Sequence, residues 1–238
     1  MEWFWVLLIF FVVIVGSLWF GYLTEEKMVG PEAARRNSRS ATPLFLFWLP
    51  LSGFALFFVV EQLGRYGWVS FHILYAVSIS AWWMSWFFRK QEAGSLLADV
   101  GRTPQSKFLF WIGLLQVALV VFQTWLFFTS TLTRSPEYSS LYLEISRLVL
   151  WWSIAGFTIA VGLNKLEFRE NGICLVHSLM RWQRINSYTW ETDKSNVLTI
   201  RFKPRFPLLP SFASLAIPAN HQEVVSRILA ERLVGKRL

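Results

Sequence analysis

Five stretches of the chain are almost unbroken runs of apolar residues: 3–23, 44–60, 68–88, 108–128 and 145–163. A helix needs about 20 such residues to cross a hydrocarbon core about 30 Å thick. Lipid offers the backbone no hydrogen-bond partner, so runs of this kind are expected to be helical. The pattern therefore predicts a mainly α membrane protein, with a five-helix transmembrane bundle over residues 1–163. Pro43 suits the first turn of the second run. The approach to the fifth run, 141–147, is amphipathic. Only Glu2 precedes the first run, and Tyr22, Leu23 and Thr24 offer no small-x-small cleavage site, so this run reads as a retained anchor.

At Lys165 the period changes from that of a helix to that of a strand. Leu166 and Phe168 alternate with charged residues, and Asn171-Gly172 is a dipeptide suited to a two-residue turn with positive φ at both positions. Residues 173–177 read as the returning strand and 181–191 as another strand region. Residues 197–203 alternate, with Leu198, Ile200 and Phe202 on one face and Thr199, Arg201 and Lys203 on the other. A short strand over 214–217 stops at Pro218. Asn220, with Glu223 three residues on, resembles a capping box at the start of a helix. Val224, Val225, Ile228, Leu229 and Leu233 make its apolar stripe. Residues 164–238 are thus expected to form a small α+β domain: a curled antiparallel sheet closed by one C-terminal helix.

The run from Leu166 to Leu175, then Trp182-Gln-Arg-Ile185 and Tyr188-Thr-Trp190, followed by an alternating strand and a terminal helix, resembles the small domain of an uncharacterised bacterial, largely cyanobacterial, membrane-protein family. It is also similar in layout to bacterial pleckstrin-homology-like domains. The resemblance covers about residues 165–234. It implies a fold and a membrane-tethered domain, and no reaction.

Composition agrees with the apolar runs. Hydrophobic residues make up 54% of the chain and charged residues 16%, against roughly 25% charged in soluble domains. The formal charge is +8 and unevenly spread. Four Lys and Arg follow the first run and four follow the third. One, Arg65, follows the second, and two, Arg134 and Arg147, lie between the fourth run and the core of the fifth. The final segment holds twelve. The positive-inside rule then puts the N-terminus outside and the C-terminal domain in the cytoplasm. The membrane is expected to be a bacterial inner or thylakoid membrane. Trp3, Trp5, Trp19, Trp68, Trp82, Trp83 and Trp86 lie near the ends of the runs, where indole rings favour headgroups.

Candidate chemistry is sparse. The single Cys174 cannot form an internal disulfide, and His72, His177 and His221 lack metal-ligand spacing. No phosphate loop, His-Glu-x-x-His or Gly-x-Ser-x-Gly motif occurs. The reading is a non-enzyme without cofactor or metal. The expected partners are the bilayer, anionic headgroups and other membrane proteins, with a homo-oligomer left open and nucleic acid excluded for want of a basic stripe. Its cytoplasmic domain would serve protein or lipid contact in a membrane assembly.

Two groups of residues stand out. Lys203, Arg205, Phe206, Leu208 and Leu209 form a basic, proline-stiffened loop that could dip into headgroups or cover the sheet's own core. Glu61, His72, Gln116 and Gln123 form an intramembrane polar cluster. It could serve as packing glue or as the polar site of a small transporter or channel component. Ala76 with Ser80, and Gly156 with Ala160, are small pairs that would allow close helix approach. Residues 24–42 read as a flexible basic loop.

Overall fold

The computed structural model describes residues 2–43, 46–47, 49–133, 138–192, 196–204 and 209–233. Among them are seven α-helices and two antiparallel sheets. This corrects the expected five-helix transmembrane bundle. Only two helices among the described residues are long and apolar enough to cross a membrane, over Pro104–Ser130 and Leu141–Leu163.

For α3 and α4 the reasons are length and polarity. Helix α3, Leu49–Gln62, has 14 residues. That is about 21 Å at 1.5 Å per residue, well short of the roughly 30 Å of a hydrocarbon core. Helix α4, Arg65–Glu92, is long enough, but Ser70, His72, Ser78, Ser80 and Ser85 interrupt its apolar positions. Helix α1, Glu2–Val29, differs from the expectation only in its end: it runs past 23 through Glu25, Glu26 and Lys27 to the buried Val29.

The chain divides into two compact units, residues 54–180 and residues 1–53 with 181–238. In the first, α4 leads into strand β1 (Leu96–Gly101), helix α5 (Pro104–Thr133), helix α6 (Tyr138–Leu163), and strands β2 (Leu166–Arg169), β3 (Gly172–Leu175) and β4 (Ser178–Arg181). The four strands form a meander in sequence order. Strand β1 lies between the third and fourth apolar runs, where the sequence pattern predicts no strand.

Helices α5 and α6 pack along each other, and α6 also packs on α4. Glycines allow the contact. A Cβ on Gly113 would lie 2.7 Å from Ile159 Cγ1, and one on Gly162 would collide with the Phe110 backbone. Gly156, one of the expected contact residues, has nothing within 4 Å of such a Cβ. Thr103 caps α5: its Oγ1 accepts from Ser106 N at 3.2 Å, with Pro104 opening the helix.

In the other unit, α1 meets helix α2 (Pro31–Pro43) at Gly30, whose φ is +92°. The segment expected as a flexible loop is thus largely helical. Pro31 opens α2, and Ala33 and Ala34 give it a narrow apolar face. A 3-10 turn, Trp182–Arg184, precedes strand β5 (Ile185–Trp190). Strands β6 (Val197–Phe202) and β7 (Phe212–Ala216) complete a three-stranded meander. Helix α7, Ala219–Arg232, follows. Its N-cap is Pro218, without a side-chain cap, so Asn220 lies inside the helix rather than capping it.

Strand β6 was expected to bury one face. It buries both: Leu198, Thr199 and Ile200 are each at most 1% exposed. Val197 and Ala216, paired across the ladder, pack with Val29, Ala33 and Ala34. Thr199 and Ser214 share a hydrogen bond of 2.7 Å, and Ser214 Oγ reaches Asn37 Oδ1 at 3.3 Å. Arg36 fixes α2 further by donating to the buried Glu191 carboxylate at 2.6 Å.

Candidate functional site

Two places in the unit of residues 54–180 concentrate polar chemistry. One is the junction between the α5–α6 hairpin and the sheet. Two residues, Arg102 and Thr103, separate β1 from α5, and two, Asn164 and Lys165, separate α6 from β2. Gly101 and Leu166 are direct partners in the β1–β2 ladder. Both legs of the hairpin therefore run straight into adjacent paired strands. Arg102 Nε donates to Gly162 O at 3.1 Å, tying the start of α5 to the end of α6.

Ion pairs brace this junction. Lys165 Nζ donates to Asp99 Oδ2 at 2.7 Å across β1 and β2. Lys90 of α4 and Arg169 of β2 both donate to the buried Glu167, at 2.7 and 2.8 Å. Burial alone would raise the Glu167 carboxyl, but the hydrogen bonds to these two cations outweigh it and hold the group below its ordinary value. The hydrogen bond from Lys165 likewise lowers Asp99.

The β2–β3 turn completes the brace. Its loop residues are Glu170 and Asn171, since Arg169 pairs with Gly172. The turn thus falls one residue earlier than the Asn171-Gly172 expected from sequence. Tertiary contacts explain the shift. Asn171 donates from Nδ2 to Glu92 O at 2.8 Å and from its backbone N to Ala93 O at 3.0 Å, satisfying carbonyls at the end of α4. The positive φ values occur instead at Val176 and His177, 48° and 54°, in the next turn. The strand expected over 173–177 accordingly ends at Leu175.

His177 is buried between Trp86 and Phe157, with ring centroids 5.2 and 6.0 Å away. Its Nδ1 has no hydrogen-bond partner. Burial, helped by nearby Arg89, pushes its pKa down to about 4. Cys174 packs with Ala93, Leu179 and Trp86, and burial pushes its thiol up to about 11. A thiol so raised is an inert packing group.

The second polar place lies at the opposite end of the hairpin. His72 Nδ1 is 3.0 Å from Ser146 Oγ, which itself donates to Leu143 O at 2.9 Å. The Ser146 hydroxyl thus lies between the imidazole and that carbonyl, and the donor in its contact with His72 follows the imidazole tautomer. An open cleft of about 550 Å³ lies between α5 and α6. Gln123, Thr129 and Ser130 line it from α5, and Glu144 and Arg147 from α6. Glu144 and Arg147 form an ion pair and also act electrostatically on His72. Gln123 Oε1 is buried without a partner, and so is Gln116 Oε1 two turns away along α5.

Of the expected polar cluster, His72 and Gln123 thus share Glu144 and Arg147 as neighbours. Gln116 lies deeper along α5, and Glu61 is exposed near the end of α3. Glu144 and Arg147 themselves were missed as site residues. The amphipathic start of the fifth run was the available signal. Among the described residues, no group of three His, Cys, Asp or Glu could hold a metal. Of the expected membrane-contact loop, Arg205, Phe206 and Leu208 lie outside the described residues. Lys203 follows β6, its backbone N donating to Arg184 O, and Leu209 is half-buried.

Residues 164–234 match a family described as a domain of unknown function, DUF5673. That region covers β2 to α7 and omits β1. No curated protein and no solved structure matches the chain.

Proposed function

We propose that this is a multi-pass integral membrane protein whose α5–α6 hairpin anchors a small cytoplasmic domain for protein or lipid contact. The observation that carries this reading is the exposure of α5. Only 11% of its most apolar stretch is buried, whereas a core helix of a soluble protein would be mostly buried. Trp111, Leu115 and Trp125 are 67%, 62% and 58% exposed. Apolar surface on this scale calls for lipid or a partner to cover it. On α6, 33% of the corresponding stretch is buried, in keeping with its packing on both α5 and α4.

The cations favour a cytoplasmic sheet. Arg89, Lys90, Arg102, Lys107 and Lys165 cluster where the hairpin meets β1 and β2, and Arg147 lies toward the other end. Arg35, Arg36 and Arg39 of α2 belong to the same unit as β5, β6 and β7, so they share a compartment with that sheet. The positive-inside rule assigns both groups to the cytoplasm. The meander of β5 to β7, followed by one helix, is in keeping with a pleckstrin-homology-like reading of the C-terminal segment. The chemistry is recognition, not turnover: the charged groups around the sheet pair with one another.

Alkaline carbonate extraction tests the anchor. The protein is expected to stay with membranes and to enter the supernatant when Leu115, Leu119 and Phe122 are all replaced by Gln. Release of the unaltered chain would end this reading. A protease added to spheroplasts is expected to spare a tag after residue 233, and cleavage there would reverse the orientation.

A further inference from the structure

We infer that the cleft between α5 and α6 binds a zwitterion carrying an ammonium and an anionic oxygen group, and that its source is the phosphoethanolamine headgroup of a membrane lipid. The inference goes beyond the anchor and rests on it, because a lipid headgroup meets this cleft only if the hairpin spans the bilayer.

The argument starts from complementary groups. Arg147 uses Nη2 on Glu144 Oε2, and its side chain is 51% exposed and lines the cleft, so it keeps further N–H groups accessible there. A guanidinium suits phosphate oxygens in a bidentate fashion. Glu144 has a second carboxylate oxygen and a side chain 39% exposed. Gln123 Oε1 is buried at the same cleft with no donor. The cleft therefore offers one cationic donor set and two acceptors. An ammonium supplies N–H groups to Glu144 and Gln123 while its phosphate meets Arg147. Leu126, Phe127 and Leu148 form the apolar part of the lining, suited to the start of acyl chains.

Position favours a lipid over a free solute. Glu144 and Arg147 lie in the first two turns of the apolar stretch Leu141–Leu163, the depth at which headgroups lie when that stretch spans the bilayer. The volume, about 550 Å³, falls within the roughly 300–1,000 Å³ of small-ligand sites. A choline headgroup carries no N–H, so it would leave Glu144 and Gln123 unanswered. That difference gives the site its expected selectivity.

The test is native mass spectrometry of the full chain released from nanodiscs containing equal phosphatidylethanolamine and phosphatidylcholine. Retention of phosphatidylethanolamine is expected to exceed that of phosphatidylcholine by about tenfold, the equivalent of one hydrogen bond to a charged group. Gln123→Leu, which removes an acceptor for the ammonium, is expected to bring the ratio near unity. Arg147→Gln, which removes the contact to the phosphate common to both lipids, is expected to lower retention of both; if it fails to fold, Arg147→Lys keeps the charge but loses the fork, and is expected to lower both by less. Equal retention of the two lipids by the unaltered chain, an unchanged ratio in Gln123→Leu, or undiminished retention in the Arg147 variants overturns the site. Soluble glycerophosphoethanolamine is the second arm. Binding as tight as that of the diacyl lipid would make the source a free solute and overturn the lipid assignment. Carbonate extraction run in parallel separates the two readings: release from membranes sinks the anchor, whereas firm membrane association without lipid selectivity sinks the cleft alone.

Discussion

The two sheets of this protein are held by different means. The meander of β1 to β4 grows out of a helical hairpin and is braced by charge, with Glu167 between Lys90 and Arg169 and Asp99 against Lys165. The meander of β5 to β7 is closed by small and hydroxyl-bearing residues, Ala33, Ala34, Ala216, Thr199 and Ser214, and by the ion pair of Arg36 with the buried Glu191. The first depends on a strand drawn from over sixty residues away and on hairpin geometry. The second is a local meander, and α2 supplies the cover for one face. The difference teaches that the matched region, residues 164–234, is structurally incomplete by itself. Its first strand pairs with β1, and its sixth packs against residues of α1 and α2.

Breaking Arg36–Glu191 should have the largest effect. In Arg36→Ala the Glu191 carboxylate, with a side chain 5% exposed, loses its cation. A buried charge without its partner costs about 3 kcal/mol. Hydrogen exchange should quicken in α2 and β5 to β7 and stay unchanged in β1 to β4. Equal loss in both sheets would mean that they are not independently braced.

Next comes the hairpin. Gly162→Val inserts carbon against the Phe110 backbone, whereas Gly156→Val enters open space. Overpacking of this kind costs about 2 kcal/mol, so the first variant should melt well below the second in detergent. Equal melting would remove the close approach of α5 and α6 from the account. A smaller effect is expected for Thr199→Val. It deletes the hydrogen bond to Ser214 and should cost about 1 kcal/mol, read by denaturant unfolding followed at Trp190.

The smallest expected effect appears only as a slope with pH. His177 is held neutral in the folded chain, its pKa lowered from 6.5 to about 4. The unfolded chain therefore takes up a proton first as pH falls. Stability from this group is full above about 6.5 and declines as pH drops toward about 4. His177→Asn, which tolerates the positive φ of this turn, should flatten that interval. The carboxylates Glu167 and Asp99, with pKa values lowered in the folded chain, should still cause a loss at lower pH in both proteins. An unchanged slope in the variant would show that His177 is not the responsible group.

Sequence patterning reached some elements and not others. The apolar runs over 108–128 and 145–163 correspond to α5 and α6, because an apolar run of this length marks a helix without help from any distant partner. Strand β6 was visible through its alternation, yet Thr199 looked solvent-facing because its cover, α2, was not visible. Helix α2 escaped notice because its apolar face is two alanines, too narrow for a periodic signal. Strand β1 escaped because its partner lies far along the chain. The early β2–β3 turn depends on Glu92 O, a tertiary acceptor that no local rule supplies. At the cleft, Gln123 and His72 were legible as polar residues in apolar runs. Glu144 and Arg147 were not, since an ion pair three residues apart on a helix usually marks a solvated face.

The anchor itself is tested most directly by nitroxide collision measurements in liposomes, with Cys174 replaced by Ala. A spin label at Leu119→Cys, in the middle of α5, should relax faster with oxygen than with a water-soluble nickel chelate. One at Glu223→Cys, on the exposed face of α7, should show the reverse order. If the Leu119→Cys label favours the nickel chelate as strongly as the Glu223→Cys label does, α5 lies in water and the membrane-anchored account is wrong.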